Sequence, residues 1–294
     1  MDNNVMVVAG MHRSGTSLIT HWLHACGLQV GDDLLEGGKG NIEGHFEDRE
    51  FLKLHEHILG GQGADIDGLL LENEVSPSAG DRARMQALVK SKNATFTQWG
   101  WKEPRTCLFL DTYDELLPDA KYFVVQRDYK AVIGSLIQRD FSYQDERHLA
   151  RGWLAGKIWT HFQRRKRFEK HCRRSAETYL RTWVMYNRMI LATLERLPEQ
   201  RYLVVSYATL KSRSEEVFTF LSSGWKFKLQ YQSFSTIYKN SLISRSVSFL
   251  PFIQDQTLLA EANQLSEQFT WHLRRSGERL AALAAGRGGP TLAH

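Results

Sequence analysis

Between residues 10 and 17 the chain reads Gly-Met-His-Arg-Ser-Gly-Thr-Ser, with an apolar run, Val5 to Ala9, directly before it. Two glycines at this spacing between a strand and a helix allow backbone amides and a helix N-terminus to surround a phosphate. Loops of this kind that hold ATP carry a lysine right after the second glycine and then a hydroxyl residue for Mg²⁺. Here Thr16 stands at the lysine position, and the cation is Arg13, three residues earlier. That exchange argues against an ordinary ATPase or kinase and fits a donor with a different terminal group. A second candidate anchor is Arg127, at the end of Tyr122-Phe123-Val124-Val125, with Ser135 eight positions further on. A guanidinium is a rigid two-pronged donor suited to phosphate, and a hydroxyl completes the shell. Glu43 and His45, in a glycine-rich stretch close to the first loop, supply a carboxylate and an imidazole able to take a proton. Lys102, in Trp101-Lys102-Glu103-Pro104-Arg105, adds a cation at the end of another apolar run.

These residues need a scaffold that brings them together. Apolar positions at Leu18, Ile19, Trp22, Leu23 and Cys26 predict a helix after the loop, closed by Gly27. Residues 31 to 44 are predicted to be a mobile loop. Glu47 and Asp48 then open a helix with a buried stripe of Phe51, Leu54, Ile58 and Leu59. Further helices are predicted near 81–93, over 106–117, from about Lys130, over 214–222 and over 255–285, with two or three more between 145 and 197. Strands are predicted at 99–103, 122–125 and 202–205. Strands alternating with helices imply an α/β domain with a parallel sheet, whose ligands gather at the carboxyl ends of the strands. No internal domain boundary is evident, so 1–285 reads as a single domain and 286–294 as a flexible tail.

With 294 residues, 42% hydrophobic and 24% charged, the chain is long enough to bury a core without a metal or disulfide staple. Its net charge of +5 suits an anionic ligand but is too small for a surface that coats nucleic acid. The three cysteines, Cys26, Cys107 and Cys172, show no ligand spacing and fit packing roles in a reducing compartment. No signal h-region and no bilayer-length apolar run is seen, so the expected location is cytoplasmic. His21, His24, His55 and His57 show no zinc-site spacing, and no metal is expected. The basic run Arg164-Arg165-Lys166-Arg167 reads as a solvated helix face.

The Gly-x-x-Arg-Ser-Gly-Thr-Ser run resembles the phosphosulfate loop of sulfotransferases that use 3′-phosphoadenosine 5′-phosphosulfate (PAPS), in the arginine form found in protein-tyrosine sulfotransferases and many bacterial members. Arg127 and Ser135 are similar to the pair that grips the 3′-phosphate in that family, although Tyr129 stands where proline is usual. Glu43 to Asp48 resembles the Glu-x-His-Phe-x-Asp stretch of heparan-type members, and Trp101 to Arg105 the Lys-Asp-Pro block. Ser206-Tyr207-Ala208-Thr209-Leu210 is similar to the family's Tyr-x-x-Leu. The resemblance implies a P-loop-like three-layer α/β fold and sulfuryl transfer from PAPS to a hydroxyl of a carbohydrate, phenol or peptide, without a metal. It implies that Arg13, Ser14, Gly15, Thr16 and Ser17 hold the 5′-phosphosulfate, that Arg13 and Lys102 neutralise charge in the transition state, and that Tyr207 contacts the adenosine. Glu43 is the implied base and His45 the alternative. The family's carboxy-terminal donor loop is missing in its usual form, with Ser241 to Ser248 as a candidate replacement. A P-loop nucleotide-binding protein without sulfuryl transfer is the competing reading.

Overall fold

The computed structural model describes residues 3–37, 44–150, 159–237 and 248–286. Four strands, β1 (Asn4–Ala9), β2 (Gln98–Lys102), β3 (Lys121–Val125) and β4 (Tyr202–Val205), form one sheet in the order β2-β1-β3-β4. Every pairing is parallel. The strands are short and almost wholly apolar, as expected when helices cover both faces.

Alternate residues of β1 enter different cores. Val5, Val7 and Ala9 join Trp99, Trp101, Tyr122 and Val124 on one face. On the other, Met6 and Val8 meet Phe123, Val125, Leu203 and Val205. Helix α1 (Thr16–Ala25) covers the second face with Ile19, Trp22 and Leu23. The first face lies under α2 (Arg49–Gly61), α3 (Ala79–Thr95), α4 (Leu110–Leu116), α5 (Tyr129–Leu149) and α6 (Arg164–Arg196). Two more helices, α7 (Tyr207–Thr219) and α8 (Gln256–Ala284), complete the scaffold used below.

In this strand order the chain leaves β1 toward β2 on one side and returns to β3 on the other. The crevice between the carboxyl ends of β1 and β3 is therefore the switch point at which α/β sheets bind ligands. The 10–15 loop leaves β1 at that crevice, and Arg127 follows β3 there.

Several expectations are refined. The region 106–117 is a 3₁₀ turn, Pro104–Leu108, followed by the short α4. Within the predicted helical region 145–197, α5 runs on to Leu149 and α6 is unbroken for 33 residues, preceded by a wide turn over Trp159–Gln163. Helix α7 starts seven residues earlier than predicted because Ser206 and Thr209 form a reciprocal cap, and it kinks at Arg213. The ends of the 31–44 loop are held: Leu35 N–H donates to Glu47 O (2.8 Å) and Leu34 bridges Asp48. All three cysteines are buried and free, in keeping with packing roles.

The two loop glycines serve different needs. Gly15 has φ +93°, a left-handed conformation that glycine adopts without a Cβ penalty. At Gly10 the constraint is space, because a Cβ there would lie 2.7 Å from Val125 O and 2.8 Å from Thr16 Cγ2. Gly10→Ala is expected to destabilise the protein by about 1–3 kcal/mol through overpacking, read as a lower urea midpoint; an unchanged midpoint would contradict the close approach of β1 and β3.

Candidate active site

The loop turns tightly after β1. Ser14 N–H donates to Met11 O (3.1 Å), and Arg13 joins Gly15 in the left-handed region with φ +65°. Tight turns with left-handed residues, here at positions 13 and 15, can turn successive amides inward into an anion-binding concavity. Ser14 and Thr16 are buried, and Gly15 caps α1. Gly10 N–H donates to Cys107 Sγ (3.1 Å), and burial pushes that thiol up to about 12.

The second anchor folds directly onto this loop. Arg127 Nη1 donates to Arg13 O (2.8 Å), and Arg13 Nε donates to Ser135 Oγ (3.0 Å). Residues 114 and 122 positions apart in sequence thus meet at the carboxyl ends of β1 and β3. Arg139 is four residues beyond Ser135 on α5 and so shares its face. Burial first, then the charges of Arg139 and Arg127, lower the Arg13 pKa; burial lowers that of Arg127. Such a concentration of guanidinium groups is relieved by a bound anion. Arg139 belongs to none of the sequence motifs, though its spacing from Ser135 is a usable signal.

Lys102 lies opposite Val8 at the end of β2, fully buried. Its Nζ donates to Glu47 Oε1 (2.6 Å) and to Ser17 Oγ (3.2 Å), which ties β2 to the first turn of α1. Burial lowers its pKa, while Glu47 opposes the shift. The sequence assigns Glu47 and Asp48 alike to the start of a helix. Only Asp48 does this, accepting from Glu50 N–H (2.9 Å) and pairing with Lys92 (2.7 Å). Glu47 instead faces the site.

Glu43 lies outside the described residues. His45 is within the field of Glu47, Lys102, Arg13 and Arg139, and its pKa is lowered, chiefly by burial. Phe46, with φ +52°, stacks on His21 at 4.5 Å and anchors this segment against α1. Tyr207 opens α7 after β4, half-buried against the second core cluster. Gln126 N–H donates to Val205 O (2.9 Å), so β4 ends beside the residue preceding Arg127. Of the candidate donor-loop stretch Ser241 to Ser248, residues 241–247, Arg245 included, also lie outside the described residues.

Beneath the site runs a buried charged network that sequence reading does not find. Glu103 accepts from His55 Nδ1 (2.5 Å) and from Arg105 Nη1 (2.6 Å), and His55 Nε2 meets the Tyr113 hydroxyl at 2.8 Å. Burial would raise the Glu103 carboxyl, but Arg105 and the His55 bond hold it at about 2, against an ordinary 4.5. Arg105 also donates from Nε to Ile66 O (2.7 Å), which fastens the 60–80 stretch.

Beside the loop opens a cavity of about 440 Å³. His12 of the loop, Asp65, Asp67, Arg105, Arg139 and Tyr179 form much of its wall. The stretch from Asp65 to Leu70 and Tyr179 on α6 therefore both contribute to it. Another cavity, of about 350 Å³, lies between α8 and residues 220–225 beside Glu199 and Gln200, at the amino end of β4. Among the described residues no cluster of His, Cys, Asp or Glu suited to a metal is present, and no helix is long and apolar enough to cross a membrane.

No family model matches the chain, and no curated protein matches it by sequence. Solved structures do. The chain is similar to the sulfotransferase STF9 from Mycobacterium avium at 12% identity and a TM-score of 0.58, over 91% of this chain and 77% of that one. It also aligns with the sulfotransferase domain of the Synechococcus PCC 7002 olefin synthase, at 17% identity over 92% and 96% of the two chains, TM-score 0.43. The sulfotransferase STF1 from Mycobacterium tuberculosis aligns at 12% identity over 89% and 76%, TM-score 0.44. The fold likeness rests on the first of these. The fold is thus the α/β fold of sulfotransferase structures, with a four-stranded parallel sheet flanked by helices.

Glu103 makes a pH-dependent contribution to stability. Its pKa is depressed in the folded state, so the contribution is complete above about 4.5 and is lost as pH falls from there toward 2. Glu103→Gln is expected to cost about 3–5 kcal/mol at pH 7, as for a broken buried pair, and to flatten the dependence of urea stability on pH within that window. An unaltered slope would count against the network.

Proposed function

We infer that this protein transfers a sulfuryl group from PAPS to an acceptor hydroxyl and releases adenosine 3′,5′-bisphosphate. The observation that carries this reading is the contact of Arg127 and Ser135 with Arg13, which makes one basic cluster from two anchors. A donor with phosphate at both 3′ and 5′ ends engages both anchors, whereas ADP or ATP brings no 3′-phosphate to the second. The left-handed backbone at residues 13 and 15 and the absence of lysine at position 16 fit a phosphosulfate better than a Mg²⁺-bound triphosphate.

In this reading Ser14, Gly15, Thr16 and Ser17 hold the 5′ end by amides and hydroxyls, Arg127 and Ser135 the 3′-phosphate, and Tyr207 the adenosine. Arg13 and Lys102 neutralise charge building on the leaving phosphate as the bond from sulfur to the bridging oxygen breaks and the acceptor oxygen bonds to sulfur. Preorganised cations aimed at developing charge supply much of the rate in such transfers. Glu47 opposes the effect of burial on Lys102 and fixes the direction of its ammonium group. The acceptor proton passes to Glu43 or His45. Burial and the surrounding cations keep His45 neutral at pH 7, the form that accepts a proton.

Calorimetry with adenosine 3′,5′-bisphosphate and with ADP tests the donor assignment. The wild type is expected to prefer the bisphosphate at least tenfold, a discrimination of about 1.4 kcal/mol or more, and Arg127→Ala to lose the preference. Equal affinity in the wild type would overturn the assignment. With labelled PAPS, Lys102→Ala is expected to lower kcat about 10²–10³-fold, while whichever of Glu43→Ala and His45→Ala removes the base lowers it about 10²–10⁴-fold with donor affinity intact. If both base variants keep wild-type turnover, the base lies elsewhere.

A further inference from the structure

The cavity beside the loop has a chemistry distinct from the basic cluster next to it. Asp65, Asp67 and Asp140 contribute three carboxylates, and Arg105 and Arg139 two guanidinium groups. Both cations are already engaged. Arg139 donates to Asp140 (3.0 Å), and Arg105 is bonded to Glu103 (2.6 Å) with Glu56 and Asp67 close by. An anionic acceptor entering here meets an excess of carboxylate and must displace an existing ion pair to find a cation.

A phenol is no better suited. Its ring could lie against Leu69, Leu70, Tyr143 and Tyr179, but its single hydroxyl would satisfy few of the carboxylates and guanidinium groups of the rest of the wall, and unpaired buried polar groups are costly. A compound with many hydroxyls fits both halves of the wall, because each hydroxyl donates to a carboxylate or accepts from a guanidinium.

Orphaned polar atoms point the same way. His12 Nε2 is buried and has no hydrogen-bond partner among the described residues, and its imidazole is part of this wall. Burial, with Arg105 and other neighbouring cations, drives its pKa down to about 3. A neutral imidazole of that kind is a poor base but a good hydrogen-bond partner for a hydroxyl. Close by, the fully buried Tyr186 hydroxyl also has no partner among the described residues; a Cβ on Gly68 would come within 2.6 Å of it. Main-chain bonds set the wall firmly: Asp65 Oδ2 accepts from Leu69 and Leu70 N–H (2.8 Å each), and Thr182 Oγ1 on α6 donates to Leu69 O (2.8 Å).

We propose that this cavity receives the acceptor as an uncharged polyhydroxy compound of the carbohydrate class, held by His12 and by the paired carboxylates and guanidinium groups of its wall. The volume of about 440 Å³ lies within the range of small-ligand pockets, roughly 300–1,000 Å³. The assignment of the cavity to an acceptor rests on the sulfuryl-transfer reading, whereas the class of compound rests on the wall alone.

Saturation-transfer NMR on the full chain with adenosine 3′,5′-bisphosphate present tests the proposal, using neutral methyl hexosides and disaccharides, methyl glucuronide and 4-nitrophenol as probes. At least one neutral glycoside is expected to bind, with the glucuronide at least tenfold weaker and no transfer to the phenol. His12→Phe is expected to weaken the glycoside at least tenfold. Leu70→Trp, at a half-exposed rim position that tolerates a larger side chain, is expected to block it. Binding led by the glucuronide or the phenol, binding by no neutral glycoside, or glycoside binding unaffected by Leu70→Trp would each overturn the proposal. Nucleotide binding without glycoside binding defeats this inference and leaves the donor reading standing; glycoside binding without nucleotide binding does the reverse.

Discussion

Mutual repulsion among Arg13, Arg127 and Arg139 is the constraint on which the site depends. Guanidinium groups are held within one another's field only where the surrounding structure forces them, and here the parallel sheet does so. Strands β1 and β3 are neighbours that end at the same level, so the residues following each emerge side by side. The bond from Arg127 to the main chain of Arg13 makes the loop's left-handed conformation part of the same unit, because the carbonyl it uses belongs to a residue at φ +65°. Loop shape and charge placement are therefore coupled, and neither can change alone.

Much of this was legible in the sequence. The strand-loop-helix pattern around Gly10 to Ser17 is local, and the apolar runs at 5–9, 122–125 and 202–205 are long enough relative to their flanks to mark buried parallel strands. Asp48 and Asp255 announced helix starts because capping is a local interaction. Less visible were the features that depend on which distant side chain ends up opposite. Glu47 and Asp48 are adjacent acids with the same propensity, and only the arrival of Lys102 at the end of β2 separates their roles. His55 carried no motif because its partner, Glu103, is 48 residues away. The continuity of α6 was obscured by its polar composition, since packing along a single face is enough to hold a long helix.

The buried Glu103 network carries weight without touching the basic cluster. A carboxylate in an apolar interior is tolerated when a guanidinium and an imidazole satisfy it, and such a unit specifies one arrangement of the elements that supply it. Here those elements are α2, the 3₁₀ turn after β2 and α4. Through Arg105 the same unit reaches Ile66, so one ionic cluster both braces the core and sets the position of an outer wall.

The attachment of that wall has an evolutionary corollary. The segment around Asp65 to Leu71 is held by its own turn, by one guanidinium and by Thr182 on α6, and none of its described hydrogen bonds is made to the loop after β1. A lineage could exchange this short stretch, together with a few positions on one side of α6, and reshape the cavity while the loop after β1 and its basic cluster stayed untouched. The two halves of the molecule are free to diverge at different rates.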